Sequence, residues 1–255
     1  MKKYLISIES QNSKRLQGFY AQPTFYKYKD DFKQFGIIGK NLSVSQYFEM
    51  GVAGKNKAMT PGELGCTLSH LEALKDFLST DEKYAIIFED DVIERFEIDF
   101  DDLENQIENL GLGDNFLFSL GGIQMKICRK VRGQFISQNL SGQNVLKVDP
   151  YFYENLAYAY AYLVDRKMAK ILLDFHRPPR VYDQWKDLIF ISTQPFNIFV
   201  AYIFDHPLIE NEKNKSYLEN EREMVTETKN KSDLQVSYIV KKVKGFFLQK
   251  YNLNA

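Results

Sequence analysis

The segment Tyr84–Val92 constrains this chain more than any other part of its sequence. It starts with a run of apolar and aromatic residues and continues at once into three carboxylates, Glu89, Asp90 and Asp91. An uninterrupted run of this kind predicts a strand buried on both faces, as in a parallel sheet. In open α/β sheets, ligands bind just beyond the carboxyl ends of the strands. The three acids are therefore expected at a ligand-binding edge.

Three adjacent carboxylates repel one another, and a hard divalent cation with oxygen ligands is their natural partner. Alternate side chains of a strand point the same way, so Glu89 and Asp91 could share one ion while Asp90 faces another partner. An acidic turn after a core strand explains the same residues without any ligand. The local sequence leaves both interpretations open.

Composition bounds the class of protein. The chain has 255 residues, 44% hydrophobic and 26% charged, which suffices for one large domain with a full core. Its net charge of −1 gives no bulk attraction to nucleic acid, so no such partner is expected. Cys66 and Cys128 show no metal-like spacing and indicate a reducing compartment or core use. Residues 1–9 are too short in apolar length for a signal peptide, and no segment reaches the ~18 apolar residues of a membrane span, which predicts a cytoplasmic location.

The N-terminal region predicts a strand followed by a basic helix. The strand covers 4–8, and Asn12 or Ser13 would cap a helix that carries Arg15 near its start. Arg15 could meet a phosphate of a nucleotide there, or it could simply be solvated. Beyond it, we predict a strand at 25–28, a loop over 32–40 and a short helix at 43–50.

A capping box marks the start of the next helix. Thr60 stands at the N-cap, Pro61 at the first helical position and Glu63 at the third, with Gly62 between them. Leucines then recur at helical spacing as far as about residue 79. This pattern favours Glu63 as a cap over Glu63 as a catalytic acid. Ser69 and His70 lie inside the helix, where a histidine is more often a hydrogen-bonding core group than a ligand, and the glycine at 65 suggests close approach of a backbone or a ligand.

The middle of the chain predicts further alternating elements. We expect a helix at 99–110, a strand at 116–120, a hairpin of 134–137 with 145–148, and a helix at 167–175 capped by the aspartate at 165. Gly121 and Gly122 end the 116–120 strand and would allow a ligand close to the backbone, or form a plain turn. Leu156–Val164 alternates small and aromatic residues, which predicts a strand with alanines on one face and tyrosines on the other.

The last third changes in character. Asp183 and Trp185 follow a helix-breaking pair of prolines, and they fit either a sugar platform with a base beside it or a capping aspartate with a core tryptophan. An apolar segment at 196–204 is followed by His206. Residues 209–235 are polar and read as a loop or disordered linker. From 236 to 255, a basic amphipathic helix would lie on an anionic membrane or pack on the domain.

Together these motifs resemble the bacterial lipopolysaccharide glycosyltransferases of family 25, the β-galactosyltransferase-like group. The most specific match is the segment TPGELGCTLSH at 60–70. The opening strand with Arg15, the acidic block Glu89–Asp91 and the tyrosine–alanine strand followed by Asp183 also fit the family pattern. The similarity covers about 1–207. This chain has Glu-Asp-Asp where many glycosyltransferases have Asp-x-Asp, which leaves open which oxygens touch a metal.

The resemblance implies a fold and a set of ligands. The fold would be an α/β, GT-A type nucleotide-diphospho-sugar transferase domain over 1–207, followed by the linker (208–235) and the C-terminal helix (236–255). The ligands would be a UDP-hexose donor, most simply UDP-galactose, and an oligosaccharide acceptor on a lipid A core. A divalent cation, Mn²⁺ or Mg²⁺, would assist an inverting transfer. The location would be cytoplasmic, with peripheral attachment to the inner membrane as an option.

The resemblance and the spacing also assign roles to residues. Asp183 would be the catalytic base and Trp185 would stack on the acceptor. Glu89, Asp91 and His206 would hold the metal. Donor-binding residues would be Ser7, Ile8, Arg15, Asp90, Gly121 and Gly122. The 60–70 motif would contribute Thr60, Pro61, Gly62, Glu63, Ser69 and His70 as structural residues.

Two other functions compete. Nucleotidylyltransferases also place acids after a buried strand, but they carry a glycine-rich basic loop at the N-terminus, and residues 7–12 of this chain contain no glycine. A membrane-docked sugar-binding module without activity is the second alternative. The intact acids at 89–91 and 183 argue against it.

Overall fold

A computed structural model describes residues 1–207, 221 and 235–253. Within them, α-helices flank a mixed β-sheet. The helices are α1 Lys14–Tyr20, α2 Pro23–Lys27, α3 Val44–Tyr47, α4 Pro61–Leu78, α5 Phe100–Asn109, α6 Arg166–Phe175, α7 Leu188–Ile191 and α8 Gln235–Phe247. The strands are β1 Lys2–Ile6, β2 Phe32–Phe35, β3 Tyr84–Glu89, β4 Ile93–Glu94, β5 Phe116–Ser119, β6 Arg132–Leu140, β7 Gln143–Val148, β8 Ala161–Asp165, β9 Asn197–Val200, β10 Phe204–Asp205 and β11 Gln249–Lys250.

Nine of these strands form one sheet in the order β11-β6-β7-β9-β5-β8-β3-β1-β2. Strands β1, β2, β3, β5, β6 and β9 run in one direction, whereas β7, β8 and β11 run in the other. The sheet is therefore mostly parallel by strand direction, which confirms the predicted α/β fold. Strands β4 and β10 form a separate antiparallel pair.

The central strands are buried on both faces because helices cover each side of the sheet. Tyr4 and Ile6 of β1 face a core that α4 and α6 complete, whereas Leu5 faces a second core formed with α1, α2 and α5. In β3, residues Ala85 to Phe88 are buried, as the apolar run predicts. This burial fixes the carboxyl end of β3 next to the end of β1, with Ile6 opposite Glu89.

Two predicted elements near the N-terminus were wrong. The segment 25–28, expected as a strand, belongs largely to α2, because Pro23 starts a helical turn and Phe25 stacks on Phe19 with 4.2 Å between ring centroids. The stretch 32–40, expected as a loop, contains β2, which pairs in parallel with β1. Tertiary pairing therefore outweighed the local glycine signal.

The 60–70 motif forms the predicted capping box at the start of α4. The Thr60 hydroxyl accepts from the amide of Glu63 at 3.1 Å, and the Glu63 carboxylate accepts from the amide of Thr60 at 2.9 Å. Gly65 is explained by a close approach of backbone, since a Cβ there would lie 2.4 Å from the carbonyl oxygen of Ile37. The predicted helix at 99–110 and the 134–148 hairpin are also confirmed.

The tyrosine–alanine strand is shorter than predicted. Only Ala161–Asp165 is extended within the sheet, because Tyr158 adopts a left-handed backbone with a φ of 74°. Every residue of β8 is buried, so neither face is open to a flat ligand. Asp165 caps α6 as predicted and accepts from the amide of Met168 at 2.7 Å.

At the C-terminal end, α8 and β11 both contact the domain. Lys244 bonds to Asp149 at 2.9 Å, Lys241 bonds to Glu154, and β11 pairs with β6. The predicted linker at 208–235 lies outside the described residues apart from its last residue and Glu221, whose carboxylate accepts from the amide of Gly62 at 2.8 Å. None of the helices in the described part of the chain is long and apolar enough to cross a bilayer.

Candidate active site

The candidate site lies at the carboxyl edge of β1 and β3, where Arg15 joins two of the three acids. Its Nε donates to Asp90 Oδ1 at 2.5 Å and its Nη2 donates to Asp91 Oδ2 at 2.9 Å. Ser13 caps α1, which places Arg15 in the first turn of that helix and over the acids. Burial opposes the positive charge, but Asp90 and Asp91 raise the pKa of Arg15. The guanidinium therefore offsets much of the repulsion between these carboxylates.

Asp90 is buried and accepts a hydrogen bond from Ser7, the residue that follows β1. The Ser7 hydroxyl donates to Asp90 Oδ2 at 2.5 Å and accepts from the amide of Glu9 at 3.1 Å. Burial raises the pKa of Asp90, while Arg15 and Ser7 act in the opposite direction. Both oxygens of Asp90 are thus held by the protein, which fixes its carboxylate plane at the pocket wall.

Asp91 and His206 meet across the site. His206 Nε2 lies 3.4 Å from Asp91 Oδ2, while its Nδ1 lies 2.9 Å from the carbonyl of Pro207. Burial alone would raise the pKa of Asp91, but His206 and Arg15 hold it below its usual value. Burial likewise opposes the charged imidazole, yet Asp91 raises the pKa of His206. The fold therefore brings His206 to the acidic block, and its role as a metal ligand stays a prediction.

One carboxylate oxygen of Asp91 is not satisfied by a hydrogen bond within the described part of the chain. Asp91 Oδ1 is buried and has no hydrogen-bond partner among the residues that the structure describes. A buried carboxylate oxygen without a donor costs free energy unless a ligand or an ion satisfies it. An ionised carboxylate and a neighbouring imidazole nitrogen are also metal ligands that Mn²⁺ accepts. These residues fit a divalent cation.

Glu89 takes a different direction from Asp91. Its Oε1 lies 3.3 Å from His70 Nε2, and the other ring nitrogen of His70 lies 3.0 Å from the Tyr162 hydroxyl. Because β3 ends at Glu89 and a turn follows, strand alternation does not apply to Asp91. The geometric reason for expecting Glu89 and Asp91 on one ion was therefore wrong.

His70 is a hydrogen-bonding core group, as predicted. Its ring has 0% exposure and stacks on Tyr182 at 4.0 Å between centroids, with 8° between the ring planes. The Tyr182 and Tyr162 hydroxyls lie 2.7 Å apart. Ser69, from the same helix, accepts from the amide of Ile37 at 2.8 Å and so ties the 37–40 loop to α4.

A pocket of about 200 Å³ opens beside these groups. Its walls combine charged groups of the acidic block with apolar side chains from the 37–40 loop. They include Ser7, Ile8, Arg15, Ile38, Cys66, Glu89 and Asp90. An apolar pocket with a few convergent polar groups is the usual form of a small-molecule site.

Gly121 and Gly122, predicted either to let the sugar donor approach the backbone or to form a plain turn, do form a turn. A Cβ on Gly121 would lie 2.2 Å from the Tyr160 hydroxyl, and Gly122 has a φ of 84°. The amide of Gly122 donates to the same hydroxyl at 2.6 Å. The pair forms a turn around Tyr160, whose ring lies 5.0 Å from that of His206. Their contribution to the site is therefore to position Tyr160.

Trp185 does not present a face to an acceptor. Its side chain has 0% exposure, so the alternative of a core tryptophan is correct and the stacking platform was wrong. Asp183 is half-buried, and its Oδ2 accepts from the amide of Tyr158 at 3.1 Å. The ring of Tyr158 lies 6.0 Å from that of His206, so Tyr158 connects Asp183 with the histidine that contacts Asp91.

A second pocket, of about 350 Å³, is lined in part by Glu63 in the first turn of α4. It is lined by the 54–59 loop and by residues on both sides of Asp183, including Lys55, Arg180 and Gln184. Lys55 Nζ donates to the carbonyl of Pro179 at 2.5 Å, which ties the two loops together. Both pockets thus use the first turn of α4 as part of their walls, with Gly62 in the first and Glu63 in the second.

Sequence reasoning missed the tyrosines of the site. Tyr158, Tyr160 and Tyr162 were treated as one face of a strand, but the turn at 158 sends them to different places. The local sequence gives no signal for Tyr182, whose neighbours Asp183 and Trp185 carry the recognisable pattern. No periodic signal identifies these hydroxyls, since their partners lie far away in the chain.

Comparison with known proteins agrees with this geometry. Residues 1–183 match the model of a family described as glycosyltransferase family 25 (LPS biosynthesis protein). The chain belongs to glycosyltransferase family 25. The match includes the 60–70 motif, the acidic block and Asp183, and it favours glycosyl transfer over nucleotidylyl transfer.

The chain is similar in sequence to procollagen galactosyltransferase 1-A of Xenopus laevis. It is 27% identical over 184 residues, which is 67% of this chain and 28% of that protein. This family 25 chain therefore spans well under a third of the length of the curated relative it matches.

Proposed function

We propose that this family 25 glycosyltransferase moves a hexose, most simply galactose, from a UDP-sugar to a sugar hydroxyl with inversion at the transferred carbon. The donor class rests on the family and on the name of the amphibian relative. The acceptor we propose is an oligosaccharide on a lipid A core, in line with the family description as an LPS biosynthesis protein.

One observation supports this proposal above all. At the edge of the sheet formed by the C-terminal ends of β1 and β3, four charged or titratable side chains contact one another: Arg15, Asp90, Asp91 and His206. A diphosphate leaving group needs positive charge beside it and fixed acceptors for its ribose and sugar hydroxyls. Arg15 supplies the first, and Asp90, held by Ser7, supplies the second. The adjoining 200 Å³ pocket gives a nucleotide portion a place to enter.

A divalent cation is part of the proposal. Asp91 and His206 would hold it, since Asp91 Oδ1 is otherwise without a donor in the described chain. Such an ion supplies stabilisation for the negative charge that develops on the departing diphosphate. For His206 to bind it, the imidazole must give up its proton, so the ion would replace the present contact with Asp91.

The acceptor hydroxyl must lose a proton during an inverting transfer, and we assign this role to Asp183. A carboxylate base has to lie within about 3 Å of that hydroxyl. Asp183 uses one oxygen to hold the Tyr158 amide, which leaves the carboxylate fixed in orientation. The second pocket, lined by Gln184 and Arg180, is the proposed approach for the acceptor.

A donor panel tests the function. UDP-galactose, UDP-glucose and UDP-N-acetylglucosamine are incubated with the chain, with Mn²⁺ and with EDTA, and free UDP is measured. We expect release of UDP from UDP-galactose above the other donors, and only with Mn²⁺. Release from none of them, in folded protein, would favour the inactive binding module. Parallel assays with UTP and a sugar 1-phosphate examine the nucleotidylyl alternative.

A further inference from the structure

Three metal-ligating side chains meet beside the candidate site without being part of the Asp91–His206 pair. The sulfur of Cys66, a ring nitrogen of His70 and a carboxylate oxygen of Glu89 all lie within 4.8 Å of one another. Spacing between the two cysteines gave no sign of this group, because Cys128 is buried elsewhere, near the carbonyl of Ala157.

The fold brings these ligands together by rigid elements. Cys66 and His70 are four residues apart in α4, so they share one face of the helix on successive turns. Glu89 ends β3, whose Ala85 and Ile87 share one core with leucines of α4. Cys66 and Glu89 also line the 200 Å³ pocket, which gives an ion a path from solvent.

The surroundings orient the histidine as a ligand. Its Nδ1 lies 3.0 Å from the Tyr162 hydroxyl, so an Nδ1–H tautomer would donate there and turn the Nε2 lone pair toward Glu89. The Tyr162 hydroxyl can then donate its own hydrogen bond to the Tyr182 hydroxyl at 2.7 Å, and Tyr182 stacks on the imidazole. A ligating histidine almost always has such an outer partner on its other nitrogen.

We propose that Cys66, His70 and Glu89 form a binding site for a borderline-soft divalent cation, Zn²⁺ in particular. Thiolate, imidazole and carboxylate are the ligands of zinc, and three protein ligands leave a fourth position open to water from the pocket. The thiol gives up its proton on binding, and the ion replaces the His70–Glu89 hydrogen bond. This site is distinct from the Asp91–His206 pair proposed to hold Mn²⁺. Its occupation by Zn²⁺ requires neither a bound UDP-sugar nor catalysis.

Cobalt substitution tests the ligand set. Co²⁺ is added to the full, metal-free chain, and the near-ultraviolet thiolate-to-cobalt absorption band is recorded together with the competition by Zn²⁺. We expect the band in the unmodified chain and in Cys128→Ser, and its loss in Cys66→Ser. Tyr162→Phe should weaken Zn²⁺ binding about 10–100-fold, since it removes the outer partner of His70. Absence of the band, or its survival in Cys66→Ser, would overturn the proposal.

A second measurement needs no variant and so cannot fail through misfolding. The unmodified chain is alkylated with a thiol reagent, with and without Zn²⁺, and modification of the peptide that contains Cys66 is measured by mass spectrometry. Zn²⁺ should slow modification of Cys66 at least about tenfold, whereas Mn²⁺, which prefers oxygen ligands, should not. Equal rates with and without Zn²⁺ would contradict the site.

Discussion

The carboxylate of Asp183 accepts a hydrogen bond at 3.1 Å from the backbone amide of Tyr158, a residue whose φ is 74°. Few aromatic residues adopt this left-handed conformation, and it costs on the order of 1–3 kcal/mol. The hydrogen bond stabilises the turn that directs Tyr158 toward His206. Asp183 thus has a structural task beside the catalytic one that we propose, and substitutions can separate the two.

Asp183→Asn keeps an oxygen that can accept from the Tyr158 amide but removes the base. We expect turnover to fall about 10²–10⁴-fold, the usual cost of losing a general base, with UDP affinity nearly unchanged. The measurement is steady-state kinetics with UDP calorimetry. Asp183→Ala, which loses both roles, should in addition lower the melting temperature. A rate above about a tenth of normal in Asp183→Asn would refute the base assignment.

Asp91→Ala should weaken the binding of UDP in the presence of Mn²⁺ by at least about tenfold, because it removes the carboxylate proposed to hold the ion. Isothermal calorimetry with UDP, with and without Mn²⁺, gives the affinities. Asp101→Ala, an exposed change in α5, is the matched control and should bind normally. Equal affinity in Asp91→Ala and Asp101→Ala would remove Asp91 from the metal site.

Gly65→Ala should destabilise the fold by about 1–3 kcal/mol, because the new methyl group would meet backbone atoms of Ile37 and Gly39 at 2.4 and 2.7 Å. Backbone cannot move aside as a flexible side chain does. Gly18→Ala, in α1, where the added Cβ would meet nothing within 4 Å beyond its chain neighbours and the helix's own backbone, should instead stabilise by about 0.5–1 kcal/mol. Urea unfolding of both variants checks the difference, and a neutral Gly65→Ala would contradict the close packing of the 37–40 loop on α4.

His176 predicts an acid-dependent loss of stability. Burial, with repulsion from His70, lowers its pKa from 6.5 to about 3. A histidine with a lowered folded-state pKa contributes stability above pH 6.5, and this is lost as the pH falls toward 3, because the unfolded chain binds the proton first. Between these values the free energy of unfolding should change by about 1.4 kcal/mol per pH unit through this group.

The test compares the unmodified chain with His176→Phe, which keeps a ring against Tyr182 and Phe175. Unfolding free energies are measured from pH 6 to pH 4 in buffer with EDTA. The slope with pH should be smaller in the variant by about that amount. Identical slopes would show that His176 titrates normally in the folded state.

The C-terminal helix α8 is predicted to bind an anionic membrane, and its contacts with the domain leave part of its surface exposed. Phe246 and Phe247, at the end of α8, are 82% and 85% exposed, and Lys241 and Lys244 contact the domain. We expect the chain to float with anionic liposomes, and the double change Phe246→Ser, Phe247→Ser to reduce flotation strongly. Phe190→Ser, an equally exposed phenylalanine on α7, is the control. Flotation of all variants alike, or of none, would discard membrane binding through α8.

The sequence by itself determined the features that depend on neighbouring residues. The apolar run before Glu89 required a buried strand, because only a sheet covered on both faces accepts such a run. The Thr60–Glu63 capping box determined where α4 begins, since both of its hydrogen bonds close within four residues. The order of these motifs was enough to indicate the family.

Only the tertiary structure decided which side chains of the site meet. Arg15 reaches Asp90 and Asp91 across about 75 residues, and His206 reaches Asp91 across more than 100, distances over which no local pattern carries information. Trp185 became core and Tyr158 a strained turn, because packing against distant elements outweighs local preference. Glu89 likewise turned to His70 because β3 ends there, which strand alternation along the sequence could not reveal.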